Sequence, residues 1–425
     1  MIDIKFIREN AEKVKAALNR RGVDVDLESV LKLDEEKRSL MQEVETLRFT
    51  RNTLADAIAK LPEKERAKKI SEGKSVREKL GQLDGKLHIL NQALQTKLLE
   101  LPNLPADDVP DGGEDAKEII RTVGEIPTFS FQPKDHVDLG LGLDILDIDR
   151  AAKVSGTRFV YLKGDAVLLE FALVQFVMQK LVKEGLTPVV PPVLIRQSIT
   201  NDLGYWQAGG NENYYLVHDA DESDEKNPLY LVGTGEHAVV PMHKNEVLTD
   251  LPKRYVAFSS CFRREAGTYG KDTAGILRVH QFDKVEMISL VEPEDDTSEH
   301  ARMLSLAEGL MHDLQLPYRV VKLAASDMGF PSAKTVDIET WLPGQNQYRE
   351  THSISTTTDF QARRLNIKYK KKDTTGFVHI LNGTALAIGR TIIAVLENYQ
   401  EVDGSVRVPD VLRPWVGKDV LQKTS

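Results

Sequence analysis

Between Leu33 and Leu101, apolar residues recur in steps of three and four along two runs. The first passes through Leu33, Leu40, Val44, Leu47, Leu54, Ile58 and Leu61, with Lys37 and Arg51 as polar interruptions. The second passes through Val76, Leu80, Leu83, Leu87, Leu90, Leu94 and Leu101, with Lys97 inside it. Such spacing lays one stripe along a helix and forms a coiled-coil seam. Leu61-Pro62 separates the runs, and a residue before proline is driven out of the helical region. Two seamed helices joined by a short break predict an antiparallel hairpin over about residues 33–100. Each arm would be roughly 45–55 Å long at 1.5 Å per residue. Gly81 and Gly85 weaken the second helix without an evident reason. A shorter helix is predicted over 3–20, ended by Arg21-Gly22.

The 425 residues are enough for two or three domains. No apolar run has the length of a membrane span. The amphipathic start, MIDIKFIRENAEKVKAAL, lacks a signal peptide's apolar core, so a cytoplasmic location is expected. Cys261 is the single cysteine, which excludes an intramolecular disulfide and a cysteine-rich metal centre. No pair of histidines stands at ligand spacing, and no zinc site is expected. A net charge of -9 argues against nucleic-acid binding by the whole surface. It leaves room for a local basic patch, because exposed charges are screened beyond about 10 Å.

One such patch lies at the hairpin tip: Lys60, Lys64, Arg66, Lys68, Lys69, Lys74 and Arg77. On an isolated hairpin these read first as a solvated surface; the alternative is an arm that grips a phosphate backbone.

Leu101-Pro-Asn-Leu-Pro105 stops the hairpin, and the acidic, turn-rich residues 106–125 suit a linker. The expected organisation is an N-terminal domain over 1–105, a linker over 106–125 and a larger domain over 126–425. In the last, 164–183 and 298–314 read as helices, as does 384–399 after a strand into Asn382-Gly383. Residues 186–195, 228–233, 254–263, 277–290 and 335–342 read as strands. Regular alternation of strand and helix is absent, so the fold class is α+β, with a mixed, mostly antiparallel sheet flanked by helices.

Tyr255–Glu286 reads as two strands joined by a long Gly-rich loop. Alternation puts Arg263 and Glu265 on one face, with His280, Phe282, Lys284 and Glu286 on the matching face of the return strand. Such a face is either a platform for a ligand with phosphate, amine and a flat ring, or a solvated face with cross-strand ion pairs. Arg390 is the one charge between Thr384 and Leu396 and needs an anion, either a phosphate or a carboxylate from elsewhere in the fold. Glu350 precedes a hydroxyl-rich run and could hold magnesium with nucleotide phosphates, or simply lie in a polar edge strand. The glycines flanking Thr234 suit either a ligand or a turn.

Taken together and in order, these stretches resemble a known family. FRREAG with RVHQFDKVE is similar to the second signature motif of a bacterial-type seryl-tRNA synthetase, a class II aminoacyl-tRNA synthetase. LNGTALAIGRTIIAVLENYQ is similar to its third motif, and the segment ending at Pro191-Pro192 to its dimer-forming first. DIETWLPGQNQYRE, DFQARR and PKDHVDLG are further stretches of family type. The resemblance implies a homodimer whose coiled-coil arm recognises serine tRNA. It implies activation of L-serine with ATP and Mg2+ to seryl-adenylate, then transfer to the 3′ end of tRNA(Ser), with tRNA(Sec) as a further candidate acceptor. It makes Arg263, Glu350 and Arg390 catalytic. Arg263, with Arg264 beside it, would take the α-phosphate, and Glu265 the adenine amine. Phe282 would stack on the base next to Val279. Arg278 and Arg390 would reach the outer phosphates, and Glu350, Thr351, His352 and Ser353 would complete the ATP set, Glu350 and Ser353 holding the metal. Thr234, Gly235, Glu236, Arg263, Glu286, Asn382 and Thr384 would bind serine. The chain departs from the family pattern at Gly233-Thr-Gly235-Glu236, where Pro-Thr-Ala-Glu is commoner, at Thr351-His352, where Ile-Ser is usual, and at Thr384, where serine is usual, and its segment ITNDLGYWQAGGNENYY matches the family's loop only loosely.

Overall fold

The computed structural model describes residues 1–206, 212–217, 228–267 and 275–423. The chain divides into two compact units, one formed by residues 1–19 and 23–102, the other by 20–22 and 103–425.

The first unit is helical. Helices α1 (Ile4–Glu9) and α2 (Ala11–Arg20) replace the single helix expected over 3–20. Asn10 leaves the helical region at φ -137°, and its side-chain amide donates to the Phe6 carbonyl. A short polar side chain that bonds local backbone favours such breaks. The hairpin follows as α3 (Leu27–Lys60) and α4 (Glu63–Leu99), parted at Leu61-Pro62 as the proline requires. Asp26 caps α3 by accepting from the Ser29 amide. Val44 packs against Leu80 and Leu83, flanked by Leu40, Leu47 and Val76. A side chain at Gly73 would touch Ile58 beside the turn, which fixes the antiparallel sense. Ion pairs Arg48–Asp84 (3.0 Å) and Lys79–Glu43 (2.8 Å) border the seam. A Cβ on Gly81 or Gly85 would meet nothing within 4 Å, so packing does not explain those glycines.

The second unit is built on an eight-stranded sheet among the described residues. In chain order its strands are β1 (Glu118–Val123), β2 (Thr187–Val189), β3 (Lys253–Phe262), β4 (Gln281–Val291), β5 (Tyr318–Lys322), β6 (Lys334–Leu342), β7 (Gln347–Thr356) and β8 (His379–Ala387). Their spatial order is β1-β5-β6-β7-β8-β4-β3-β2, and every pair is antiparallel except β2 with β3. Strand β1 lies inside the stretch expected to be a linker: residues 118–123 form the sheet edge rather than a connection. The strand expected over 186–195 is two, β2 and Leu194–Arg196, because the intervening prolines supply no ladder amides.

Four helices matter to the site: α5 (His136–Gly142), α6 (Asp165–Lys183), α7 (Asp296–Asp313) and α8 (Ile388–Asn398). Helix α8 starts four residues later than the expected 384, since Thr384–Ala387 continue β8 and pair with Lys284–Glu286. One sheet face is closed by α6, α7 and α8. Leu169, Leu173, Met303, Leu310, Ile392 and Leu396 share a single buried cluster there with Val256, Val285, Met287 and Ile354 of the strands. Each such side chain contributes about 1.5–3 kcal/mol when buried. One end of the opposite face is covered by a second cluster that includes Leu203, Val240, Ile288 and Ile380. The remainder of that face carries polar side chains.

No helix among the described residues is long and apolar enough to cross a membrane.

Candidate active site

The polar face is set by strand register. Ala257, Ser259 and Cys261 on β3 oppose Glu286, Lys284 and Phe282 on β4. The Arg263 amide donates to the His280 carbonyl at 2.9 Å and carries the ladder one step past β3. Arg263, Phe282, Lys284 and Glu286 therefore project together, as alternation predicts. His280 shares the register, but its ring lies against Phe159 and Tyr215. Glu265 arrives differently: it has a left-handed φ of 51°, beyond the strand.

Two β-bulges complete the face. Ile338 and Glu339 on β6 oppose His352 and Glu350 on β7, which leaves Thr351 as an inserted residue. The insertion places Glu350 on the same side as Thr351, Ser353 and Ser355. On β8, Ala385 is inserted in the same way opposite Val285 and Glu286, and Thr384 ends up facing Glu286.

These elements wall a cavity of about 650 Å³, within the size range of small-molecule sites. From the nucleotide set, Arg263, Glu265, Arg278, Val279, Phe282, Glu350, Thr351, Ser353 and Arg390 line it. From the serine set, Thr234, Glu236, Arg263, Glu286, Asn382 and Thr384 do. Three expected residues stand elsewhere. His352 lies behind the wall, fully enclosed, with Nδ1 2.8 Å from the Thr351 hydroxyl. Burial pushes its pKa down to about 4, so the ring stays neutral. Arg264 is exposed, and its backbone amide donates to the Asn213 carbonyl. Gly235 supplies no atom to the wall. A Cβ there would lie 3.4 Å from the Ala257 Cβ, an ordinary contact, so the family's alanine would fit. Residues 207–211, within ITNDLGYWQAGGNENYY, and residues 268–274, within the loop of Tyr255–Glu286, lie outside the described residues.

The cavity has two electrostatic characters. Arg263, Arg278 and Arg390 form its basic part. Arg278 pairs with Glu265 at 2.7 Å, and Arg390 with Glu350 at 3.2 Å. The carboxylate that Arg390 required is thus itself a wall residue. Arg263 bonds the Gly233 carbonyl through Nε at 3.1 Å and lies over the Phe282 ring at 5.4 Å. Among the described residues it has no carboxylate at ion-pair distance.

The other part is acidic and buried. Glu236 accepts from Tyr205 Oη and Gln361 Nε2, each at 2.8 Å, and burial pushes its pKa up to about 7. Glu286 pairs with Lys284 at 2.6 Å, and the Thr384 hydroxyl points at it from 3.4 Å. The Thr234 hydroxyl is buried without a hydrogen-bond partner among the described residues. A buried hydroxyl left in that state costs about 1–3 kcal/mol unless a ligand satisfies it.

Several wall residues escaped the sequence reading. Asp337 faces Ser353 across the β6–β7 ladder, and alternation with Thr335 would have found it. Tyr205 and Tyr214 line the pocket from a segment with no periodic signal. Gln361 is not part of the wall; it reaches Glu236 from a separate helix behind it.

Comparison with known proteins matches both units. Residues 1–105 fit the model of the seryl-tRNA synthetase N-terminal domain, and residues 215–399 that of the tRNA synthetase class II core domain (G, H, P, S and T). The serine–tRNA ligase of Thermodesulfovibrio yellowstonii is 43% identical over 432 residues, covering 99% of this chain and 100% of that one. The serine–tRNA ligase of Acidothermus cellulolyticus is 41% identical, covering 99% of each. Among solved structures, the seryl-tRNA synthetase of Pyrococcus horikoshii complexed with ATP superimposes with a TM-score of 0.92 at 38% identity, covering 100% of both chains. The cytoplasmic serine–tRNA ligase of Naegleria fowleri with AMP gives 0.89 at 29%, covering 100% of this chain and 99% of that one. A helical arm, a polar cavity on a mostly antiparallel sheet and full-length similarity to these ligases lead to one assignment: the chain belongs to the seryl-tRNA synthetase family of class II aminoacyl-tRNA ligases.

Proposed function

We propose that the cavity joins serine to ATP, releasing pyrophosphate, and passes the seryl group to the 3′ end of tRNA(Ser). The observation that carries this is the junction in one cavity of three arginines with buried acids and an unsatisfied hydroxyl. In the first step a serine carboxylate oxygen forms a bond to the α-phosphorus, and the bond to the pyrophosphate oxygen breaks. The carboxylate is already ionised near pH 7, so no general base is required. The obstacle is the approach of an anion to a polyanion, which fixed cations offset. Arg263 would hold the α-phosphate next to the amino acid. Arg278 and Arg390 would exchange their internal carboxylates for the outer phosphates. Phe282 and Val279 would bound the base, with Glu265 on its amine. Thr234, Glu236 and Glu286 would receive the serine ammonium and hydroxyl, with Asn382 and Thr384 beside them. An arriving ammonium would favour the ionised form of Glu236.

Magnesium fits the phosphate end. Glu350 and Ser353 would hold it. Buried Asp337 has one carboxyl oxygen without a partner among the described residues. Burial and then Glu350 push its pKa well up, the condition a nearby cation would relieve. Among the described residues no three His, Cys, Asp or Glu side chains group to hold an ion by themselves. Nucleotide phosphates would therefore supply the remaining ligands, as is usual for this ion. When bound, Mg2+ supplies charge neutralisation on those phosphates.

The same proposal includes a homodimer, a tRNA contact through the hairpin, charging of tRNA(Sec) as a second acceptor and a cytoplasmic setting. Phe171 on α6 and Val190 just after β2 are 64% and 79% exposed, which supports an apolar contact in the dimer-forming segment.

ATP–pyrophosphate exchange across the twenty amino acids tests the reading. Exchange should depend on serine; dependence on another amino acid, or none, overturns it. A second result isolates the pocket. Thr384→Val keeps the shape and removes the hydroxyl aimed at Glu286. The serine KM should rise about tenfold, the effect of one lost hydrogen bond to a charged group, with the ATP KM within twofold. An unchanged serine KM and kcat would remove Thr384 from the pocket.

A further inference from the structure

The family-type stretch PKDHVDLG has no part in the cavity wall, yet it contains a fully formed buried node. His136 is 4% exposed and Glu397 on α8 is 0% exposed. Glu397 Oε1 accepts from the His136 amide at 3.1 Å and stands 3.2 Å from His136 Nδ1. Its Oε2 accepts from the Gly344 amide at 2.9 Å. Gln400 holds both the amide and the carbonyl of Lys134, at 2.8 and 3.0 Å. The backbone of residues 134–136 is thereby tied to the end of α8 at several points.

The other ring nitrogen points away from this anchor. The Ile276 amide donates to His136 Nε2 at 3.2 Å. A nitrogen that accepts carries no proton, so the ring proton is on Nδ1, directed at Glu397. Gly275 shows how closely the ring is seated. It has a φ of 73°, and a Cβ there would lie 2.0 Å from Nε2 and 2.8 Å from Val137 Cγ2. One residue further on, the Leu277 carbonyl accepts from Arg390 Nε at 3.4 Å. Arg278 comes next, and all of Ile276, Leu277 and Arg278 line the cavity. The segment that brings in Arg278 is therefore fastened to α8 twice, through His136 to Glu397 and through Leu277 to Arg390.

We propose that His136, oriented by Glu397, is a positioning residue for the nucleotide: it fixes Ile276–Arg278 against α8 so that Arg278 and Arg390 face one phosphate chain. This rests on the cavity being the ATP site. Small displacements of such groups are costly, since catalysis by fixed charges depends on pre-set geometry. The residues that receive serine lie on other elements, around residues 234–236, β4 and β8, so the effect should fall on ATP.

The test uses the full-length chain in serine-dependent pyrophosphate exchange. In His136→Asn the side-chain amide can still donate toward Glu397 but cannot reach the Ile276 amide. In His136→Gln a carbonyl near the Nε2 position can accept from it. His136→Asn should raise the ATP KM at least tenfold and leave the serine KM within twofold, and His136→Gln should recover most of the loss. KM does not depend on the fraction of enzyme folded, so partial unfolding cannot imitate this split. Equal ATP KM values for Asn and Gln, a parallel rise in both KM values, or a lower Tm with both KM values unchanged would each overturn the proposal. A wild-type chain without serine-dependent exchange would instead defeat the proposed function, and this inference with it.

Discussion

Arg263→Ala should lower serine-dependent pyrophosphate exchange by about 10³-fold or more, the scale on which arginines act in phosphoryl transfer. The reason lies in how the three cavity arginines are compensated. Arg278 and Arg390 already face Glu265 and Glu350, so part of their attraction for phosphate is spent in displacing those carboxylates. Arg263 has no such partner among the described residues. Its Nε is engaged by the Gly233 carbonyl and its plane by Phe282, which orients the terminal nitrogens without neutralising the charge. A held, uncompensated guanidinium is what an anion–anion encounter needs. Arg263→Lys should recover little, because an ammonium offers neither the fork nor the planar stack. The loss should appear mainly in kcat, since charge at the α-phosphorus grows in the transition state. An exchange rate within tenfold of wild type would show that the α-phosphate is held by something else.

Parts of this site were legible in the sequence because they follow from period alone. Alternation placed Arg263, Phe282, Lys284 and Glu286 on one face, and β3 and β4 pair without a slip along that length. Seam spacing and one proline gave the hairpin and its turn. The parts that escaped involve an offset of a single residue or contact at long range. A bulge at Thr351 puts Glu350 on the cavity side and leaves His352 behind the wall, although alternation pairs Glu350 with His352. A bulge changes side-chain direction without changing composition, so nothing in the residue pattern announces it. The strand running through Thr384 reads as helix because ALAIGRTIIAVL is apolar apart from Arg390 and Thr391 and supports either period. Tyr205 and Gln361 meet at Glu236 from positions 156 residues apart (361 - 205). Only the folded chain shows that those side chains surround one carboxylate.

Removing residues 33–100 should abolish charging of tRNA(Ser), lowering kcat/KM for the tRNA on the order of 10³-fold or more, while serine-dependent exchange continues. The two halves of this expectation have separate physical grounds. Exchange should survive because the buried clusters beneath and beside the cavity are composed of residues from 139 onward, and none of their side chains comes from the hairpin. Charging should fail because the removed segment carries the concentrated positive charge of an otherwise acidic chain. Lys60, Lys64, Lys68, Lys74 and Arg77 are exposed there, whereas Arg66 is occupied by the Leu61 carbonyl at 2.7 Å and Lys69 by Glu72 at 2.8 Å. Phosphate contacts supply most of the sequence-independent affinity for nucleic acid, and each adds about 0.9 to the slope of log affinity against log salt on a duplex. In the intact chain, replacing those five exposed cations by glutamate should therefore both weaken tRNA binding and flatten its salt dependence. If the cations merely solvate the helix surface, the slope will not change and tRNA charging will match that of the intact enzyme. Pyrophosphate exchange serves as the internal control, because it needs serine and ATP but no tRNA. A truncated chain that charges tRNA as fast as the whole protein would assign recognition to the second unit alone.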